Sequence, residues 1–185
     1  IQSAFSNTSS SLLIAKIQGN IVDLLMPPLR PGEVMFGLVA GGVTRGLLVA
    51  VAVTLAMTPF VTLVPLHPGL IVFHALGGSL MLALLGLLGG IWAEKFDQMA
   101  ALTNFVITPL SFLSGTFYSI AQLPEPFYAI AASNPLFYLI DGIRFGFTGH
   151  ADGSLLLGVV VVIAVDAALW LLAHRLLARG YRLKA

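Results

Sequence analysis

Few residues in this sequence could do chemistry, and those few sit mostly in apolar surroundings. Arg45 and Asp166, of opposite sign, each fall near the middle of a long hydrophobic run. A charge at a bilayer centre costs about 3 kcal/mol on insertion scales, and ions placed there usually pair. Two arrangements would satisfy them: a direct Arg45–Asp166 contact, or each facing water or a backbone carbonyl separately. Asp141 and Arg144 stand at i, i+3, the spacing of an ion pair on one helix face. Asn104, Thr108, Ser111 and Gly115 fall at i, i+4, i+7 and i+11, one polar stripe on a helix that Pro109 should kink. In lipid such a stripe must face protein or water, so it either lines a path or glues a helix seam.

The same inventory excludes much. No GxxxxGK[ST] loop is present to cradle a nucleotide's phosphates, and no HExxH, GxSxG or paired-carboxylate arrangement appears. Cysteine is absent, and the four histidines, His67, His74, His150 and His174, are scattered without metal-ligand clustering. The expectation is a chain that catalyses nothing and holds no cofactor or metal.

The elements that must position these residues are membrane helices. Of 185 residues, 58% are hydrophobic and 9% charged, with a mean hydropathy of +0.97, against about a quarter charged in soluble domains. A net charge of +1 offers no basic face for nucleic acid. Hydrophobic periodicity gives an all-α polytopic helix bundle with four complete spans, over 34–57, 70–93, 99–117 and 154–174. Gly37/Gly41, Gly42/Gly46 and Gly86/Gly90 have the small-xxx-small spacing of close helix contact.

Between the spans lie shorter pieces. Residues 1–11 are mildly polar and serine-rich, neither a signal peptide nor a span, and read as the tail of something cut off. Residues 12–26 read as an interfacial helix, with Leu13, Ile17, Ile21 and Leu24 on one face and Lys16, Asn20 and Asp23 on the other, stopped by Pro27, Pro28 and Pro31. Residues 134–148 open with Asn134 as a cap and Pro135 at the first helical position. With Asp141, Arg144 and Thr148 on one arc, they predict a short amphipathic helix at a membrane surface or tucked back into it. The aromatics around it, Tyr138 among them, read as an interfacial belt. Alternating the spans puts Lys16, Arg30, Lys95, Arg175, Arg179, Arg182 and Lys184 on one side against Arg144 on the other. Seven against one makes the first side cytoplasmic, with the C-terminus there and residues 118–150 facing outward.

Three runs, KIQGNIVDLLMPPL (16–29), EKFDQMAALTNFVITPLSFLSGTFY (94–118) and LPEPFYAIAASNPLFYLIDGIRFG (123–146), resemble the permease subunit of type-2 ATP-binding-cassette (ABC) exporters of the bacterial multidrug, polysaccharide or nodulation-factor kind. The resemblance implies six spans in the whole protein, matched here from the end of the second to the C-terminus with the first missing. It makes residues 12–33 a cytoplasmic coupling segment in which Lys16, Gly19, Asp23, Leu24, Pro27 and Pro28 dock on an ATPase subunit. It makes residues 118–150 a re-entrant external gate carried by Asn134, Pro135, Tyr138, Asp141 and Arg144. ATP and magnesium would be bound by that separate ATPase chain, a second permease copy would complete a homodimer, and the setting would be the bacterial inner membrane. Two other readings compete. An ion-gradient-driven transporter or channel should show several mid-membrane carboxylates, where only Asp166 appears; a membrane-embedded lipid enzyme should cluster His, Asp or Ser at one depth.

Overall fold

A computed structural model describes residues 2–20, 29–61 and 64–181, and among these residues every regular element is helical. Three helices are long and apolar enough to cross a membrane: α2 (Pro31–Met57), α3 (Pro68–Trp92) and α8 (Leu155–Ala178). Each starts where its sequence says it should. Pro31 and Pro68 occupy first-turn positions, where the missing N–H costs nothing. The Arg30 N–H donates to Glu33 Oε2 at 2.8 Å, and Ser154 caps α8.

The N-terminal stretch corrects the sequence reading. Residues 2–17 form one helix, α1 (Gln2–Ile17), inserted between α2 and α3 rather than a loose tail followed by an interfacial helix. Ala4, Phe5, Leu12 and Leu13 are buried in the main core, so Leu13 faces the bundle and not a membrane surface. The serine-rich sequence tolerates this because its hydroxyls bond back to the helix. Thr8 donates to Ala4 O, Ser10 to Ser6 O and Ser11 to Asn7 O, which hides polar hydrogens that lipid or core could not satisfy.

Glycines let α1 approach its neighbours. A Cβ on Gly42 would lie 2.2 Å from Thr8 Oγ1, and one on Gly86 would lie 2.5 Å from the Phe5 carbonyl oxygen. Gly46 meets Ala4 and Ser79, and Gly90 meets Ser9 and Leu12. Two of the three glycine pairs thus pack as expected. Gly37 has nothing near it and Gly41 only Asn7 at 3.8 Å, so that pair makes no helix seam.

The expected span over 99–117 is a composite and ends earlier. It comprises α4 (Phe96–Leu102), a π-helical turn (Thr103–Ile107) and α5 (Thr108–Leu113), eighteen residues in all. The Thr108 N–H reaches back five residues to Thr103 O. The distortion has a local cause: Pro109 cannot donate to the Phe105 carbonyl and its ring crowds it, so the ladder widens just before the proline. After a 3-10 turn (Ile120–Gln122) come α6 (Phe127–Ala132) and α7 (Pro135–Thr148).

Helix α7 matches its predicted bounds, with Asn134 as N-cap and left-handed Gly149 as C-cap. It is tucked in, running antiparallel to α3: Leu139 lies by Gly77, Gly142 against His74 and Gly146 against Ile71. Its polar arc also differs from the surface-helix expectation, because Asp141 points inward and is 3% exposed. Lys16 meets the C-terminal end of α3, and a Cβ on Gly32 would lie 3.8 Å from the His174 ring near the end of α8. Lys16, Arg30, Lys95, Arg175 and Arg179 therefore share one end of the bundle, with Arg144 at the other. Asp23, Leu24, Pro27, Pro28, Arg182 and Lys184 lie outside the described residues.

Candidate functional site

At the Arg144 end, a clasp joins three separate segments. The Asp141 carboxylate accepts the backbone N–H groups of Asp152 (2.8 Å) and Gly153 (3.0 Å). Arg144 Nη1 pairs with Asp152 Oδ2 at 2.9 Å, while its Nη2 donates to the Gly115 carbonyl. The expected Asp141–Arg144 pair is present but long, at 3.9 Å. Asp152, which no spacing singled out, is the arginine's main partner, and exposed His150 approaches its other oxygen at 3.4 Å. The result ties the turn after α5, the body of α7 and the α7–α8 loop together.

Asn134 makes a second tie deeper in. Its Oδ1 caps α7 by accepting the Leu136 N–H at 3.0 Å, and its Nδ2 donates to Leu110 O at 2.7 Å on α5. One side chain thus closes the start of one helix and the end of another. Pro135 fixes the first helical turn. Tyr138 packs on Gly158 of α8 and lies edge-on to Phe137.

Beneath these ties lies a cleft of about 470 Å³ between α1, α5 and α7. Its polar lining is Gln2, Ser3, Thr108, Ser111, Ser114 and Thr116, set among leucine and phenylalanine side chains. Gln2 Nε2 donates to Ser111 Oγ at 3.2 Å across it. Thr108 and Ser111 fall where the predicted stripe placed them. Asn104 does not: it is exposed and absent from the lining, because the π turn adds backbone between it and Thr108 and rotates it off the face. Gly115 lies beyond the helix, in a turn at φ 73, with its carbonyl held by Arg144.

The sequence reading missed α1. Between residues 2 and 13, the buried positions are Ala4, Phe5, Thr8, Ser9, Leu12 and Leu13, and every position left open is polar: Gln2, Ser3, Ser6, Asn7, Ser10 and Ser11. The signal was legible as pairs repeating every four residues, the helical period.

The two mid-span charges do not meet. Arg45 Nη1 donates to Asn7 Oδ1 at 3.1 Å. Asp166, 8% exposed, sits beside Gly77, and its Oδ1 lacks a hydrogen-bond partner among the described residues. The reason is angular. Val43 of α2 lines the groove beside Asp166, and Arg45, two residues on, projects about 200° around the helix toward α1. His67 stacks on Phe145, and His74 Nδ1 pairs with Leu70 O at 2.8 Å. Both histidines thus serve the α3–α7 packing, and no metal-binding cluster occurs among the described residues.

At the opposite end, Lys16 Nζ donates to the carbonyls of Gly90 (3.0 Å), Ile91 (2.6 Å) and Ala93 (3.0 Å). These carbonyls at a helix C-terminus carry partial negative charge and suit an ammonium. Gly19, at φ 74, turns the chain just after α1.

Residues 1–148 match the family described as ABC-2 type transporter. The chain is 36% identical over its full length to the inner membrane transport permease YadH of Escherichia coli K12, of which it covers 72%. It is 30% identical over 84% of its length to nodulation protein J of Rhizobium leguminosarum bv. viciae, covering 60% of that protein. The corresponding protein of R. leguminosarum bv. trifolii is 32% identical over 83% of the chain. No solved structure matches.

Proposed function

We propose a function from one premise: this chain belongs to the ABC-2 type transporter family and is a membrane permease of that family. The finer reading is a permease subunit of an ATP-driven exporter in the bacterial inner membrane, C-terminus cytoplasmic, moving an amphipathic substrate (a drug, lipid or glycan-linked molecule) outward. Hydrolysis of ATP, with its magnesium, takes place on a separate nucleotide-binding chain, and a second permease copy completes the path.

The observation that carries this reading is the polar-lined cleft inside an apolar bundle, capped at one end by the Arg144 clasp. A path needs polar lining where it is wet and a closable outer end, and the clasp crosses the three segments that would have to part. At the other end, Lys16 ties the exit of α1 to the last carbonyls of α3. A push on the coupling segment beyond Lys16 would thus be delivered to two helices together. Lys16 serves this role by positioning, with its ammonium turned onto α3.

The ion-gradient alternative has one feature in its favour, the buried Asp166, but among the described residues no second carboxylate stands beside it to pass a proton on. The test is copurification of the full-length permease with a nucleotide-binding subunit, followed by transport in proteoliposomes. The reading expects a stable complex whose transport requires ATP hydrolysis. Transport that follows a proton gradient without any ATPase subunit would overturn it.

A further inference from the structure

Arg45 poses a question the clasp and cleft do not answer. It lies about 21 Å along α2 from Pro31 and about 18 Å from Met57, at the middle of a span. It is exposed, has one hydrogen bond, to Asn7, and forms no ion pair among the described residues. A guanidinium left there facing hydrocarbon is untenable, so its open side is wet or covered by protein.

The neighbours favour water. Beside Arg45 runs the open face of α1, where Asn7, Ser10 and Ser11 are at least partly exposed, and Thr44 of α2 is exposed too. Ser10 and Ser11 give their protons to carbonyls of their own helix, so their oxygens present lone pairs to solvent. Between residues 2 and 13 α1 buries its apolar residues and opens only amides and hydroxyls, with Ile14 and Ile17 exposed beyond it toward the Lys16 end. That stretch, level with Arg45, is built inside out for lipid and correctly for a hydrated passage. On this face Arg45 is the only charge near Asn7 among the described residues, and the bond to Asn7 steadies Nη1 while leaving the rest of the donor fork free.

We infer that Arg45, steadied by Asn7, forms an anion-attracting site on the hydrated α1–α2 face, suited to the carboxylate, sulfate or phosphate group of an amphipathic solute. A planar guanidinium takes such oxyanions through two parallel N–H donors. The inference deepens the exporter reading by naming the charge of the group the passage favours. Its test does not depend on transport.

These 185 residues contain no cysteine, so a single thiol can be placed at Ser11 or Thr44 in a full-length permease freed of any other. In membrane vesicles, the rate of modification is compared for an anionic reagent, methanethiosulfonate ethylsulfonate, and a cationic one, methanethiosulfonate ethyltrimethylammonium. Each rate is normalised to the same reagent's rate with free cysteine. Val160→Cys, on an apolar exposed face of α8, serves as the lipid-facing control. The expected result is modification at Ser11→Cys and Thr44→Cys but not at Val160→Cys, with the anionic reagent favoured. Adding Arg45→Gln should lower that preference about tenfold, and Arg45→Lys should keep most of it. Protection of both thiols from both reagents would show a dry, protein-covered face and overturn the inference. So would modification whose charge preference ignores Arg45. A failed ATPase experiment would leave these rates unchanged, so the two readings fail separately.

Discussion

Helices α1 and α7 are both short, both carry polar side chains, and both pack on α3, yet they place those side chains differently. In α7 the acid is inward: Asp141 is buried and spends its carboxylate on two backbone N–H groups of the next loop. In α1 the polar residues are outward, and the buried face is Ala4, Phe5, Leu12 and Leu13 with two small hydroxyl residues. Inward polarity in a membrane bundle is structural glue, because every group needs a partner. On the open face of α1, among the described residues, only Gln2 and Asn7 reach another helix, and Ser6, Ser10 and Ser11 point to water.

That contrast can be broken by substitution. The largest effect is expected for Asp141→Ala, which strands two part-buried N–H donors and frees Arg144 of one neighbour. It should cost about 3 kcal/mol, read as a lower denaturant midpoint of the purified full-length protein. Gly86→Val should come next, at about 2 kcal/mol, because its side chain would drive into the Phe5 backbone and push α1 off α3. The same measurement on Gly37→Ala, with open space around it, should show no loss. Lys16→Met removes three bonds to the end of α3 and should cost about 1 kcal/mol, with a larger drop in transport per ATP hydrolysed than in stability. Ser6→Ala, on the open face of α1, should stay within about 0.5 kcal/mol of the parent. If Ser6→Ala proves as damaging as Asp141→Ala, the open face is a packed seam and the contrast fails.

The sequence showed the same contrast unevenly. The bounds of α7 were legible because a cap, a first-turn proline and a terminal glycine all agree at residues 134, 135 and 149. Long apolar runs likewise gave α2, α3 and α8. The inward turn of Asp141 was not legible, since an amphipathic wheel says which residues share a face and not which side is covered. Helix α1 was hidden for a different reason: serine is a weak helix former that favours caps and turns, and composition masked a clean four-residue repeat. The stripe from Asn104 to Gly115 took no account of the wider turn that Pro109 imposes just before it. Asp152 could not have been foreseen, because its link to Arg144 depends on how the α7–α8 loop folds back. The Arg45–Asp166 pairing failed on geometry: opposite sign and similar depth do not suffice when the side chains leave different faces of the bundle.

The account turns on the cleft between α1 and α5 opening as a path, and Gln2 and Ser111 face one another across it. Joining Gln2→Cys to Ser111→Cys with a short bifunctional thiol reagent, in the full-length permease reconstituted with its ATPase, tests this directly. The linked protein should lose transport, and a reducible linker should restore it on cleavage, while either single variant treated alike transports normally. Transport at the unlinked rate with the two helices held together would contradict the account.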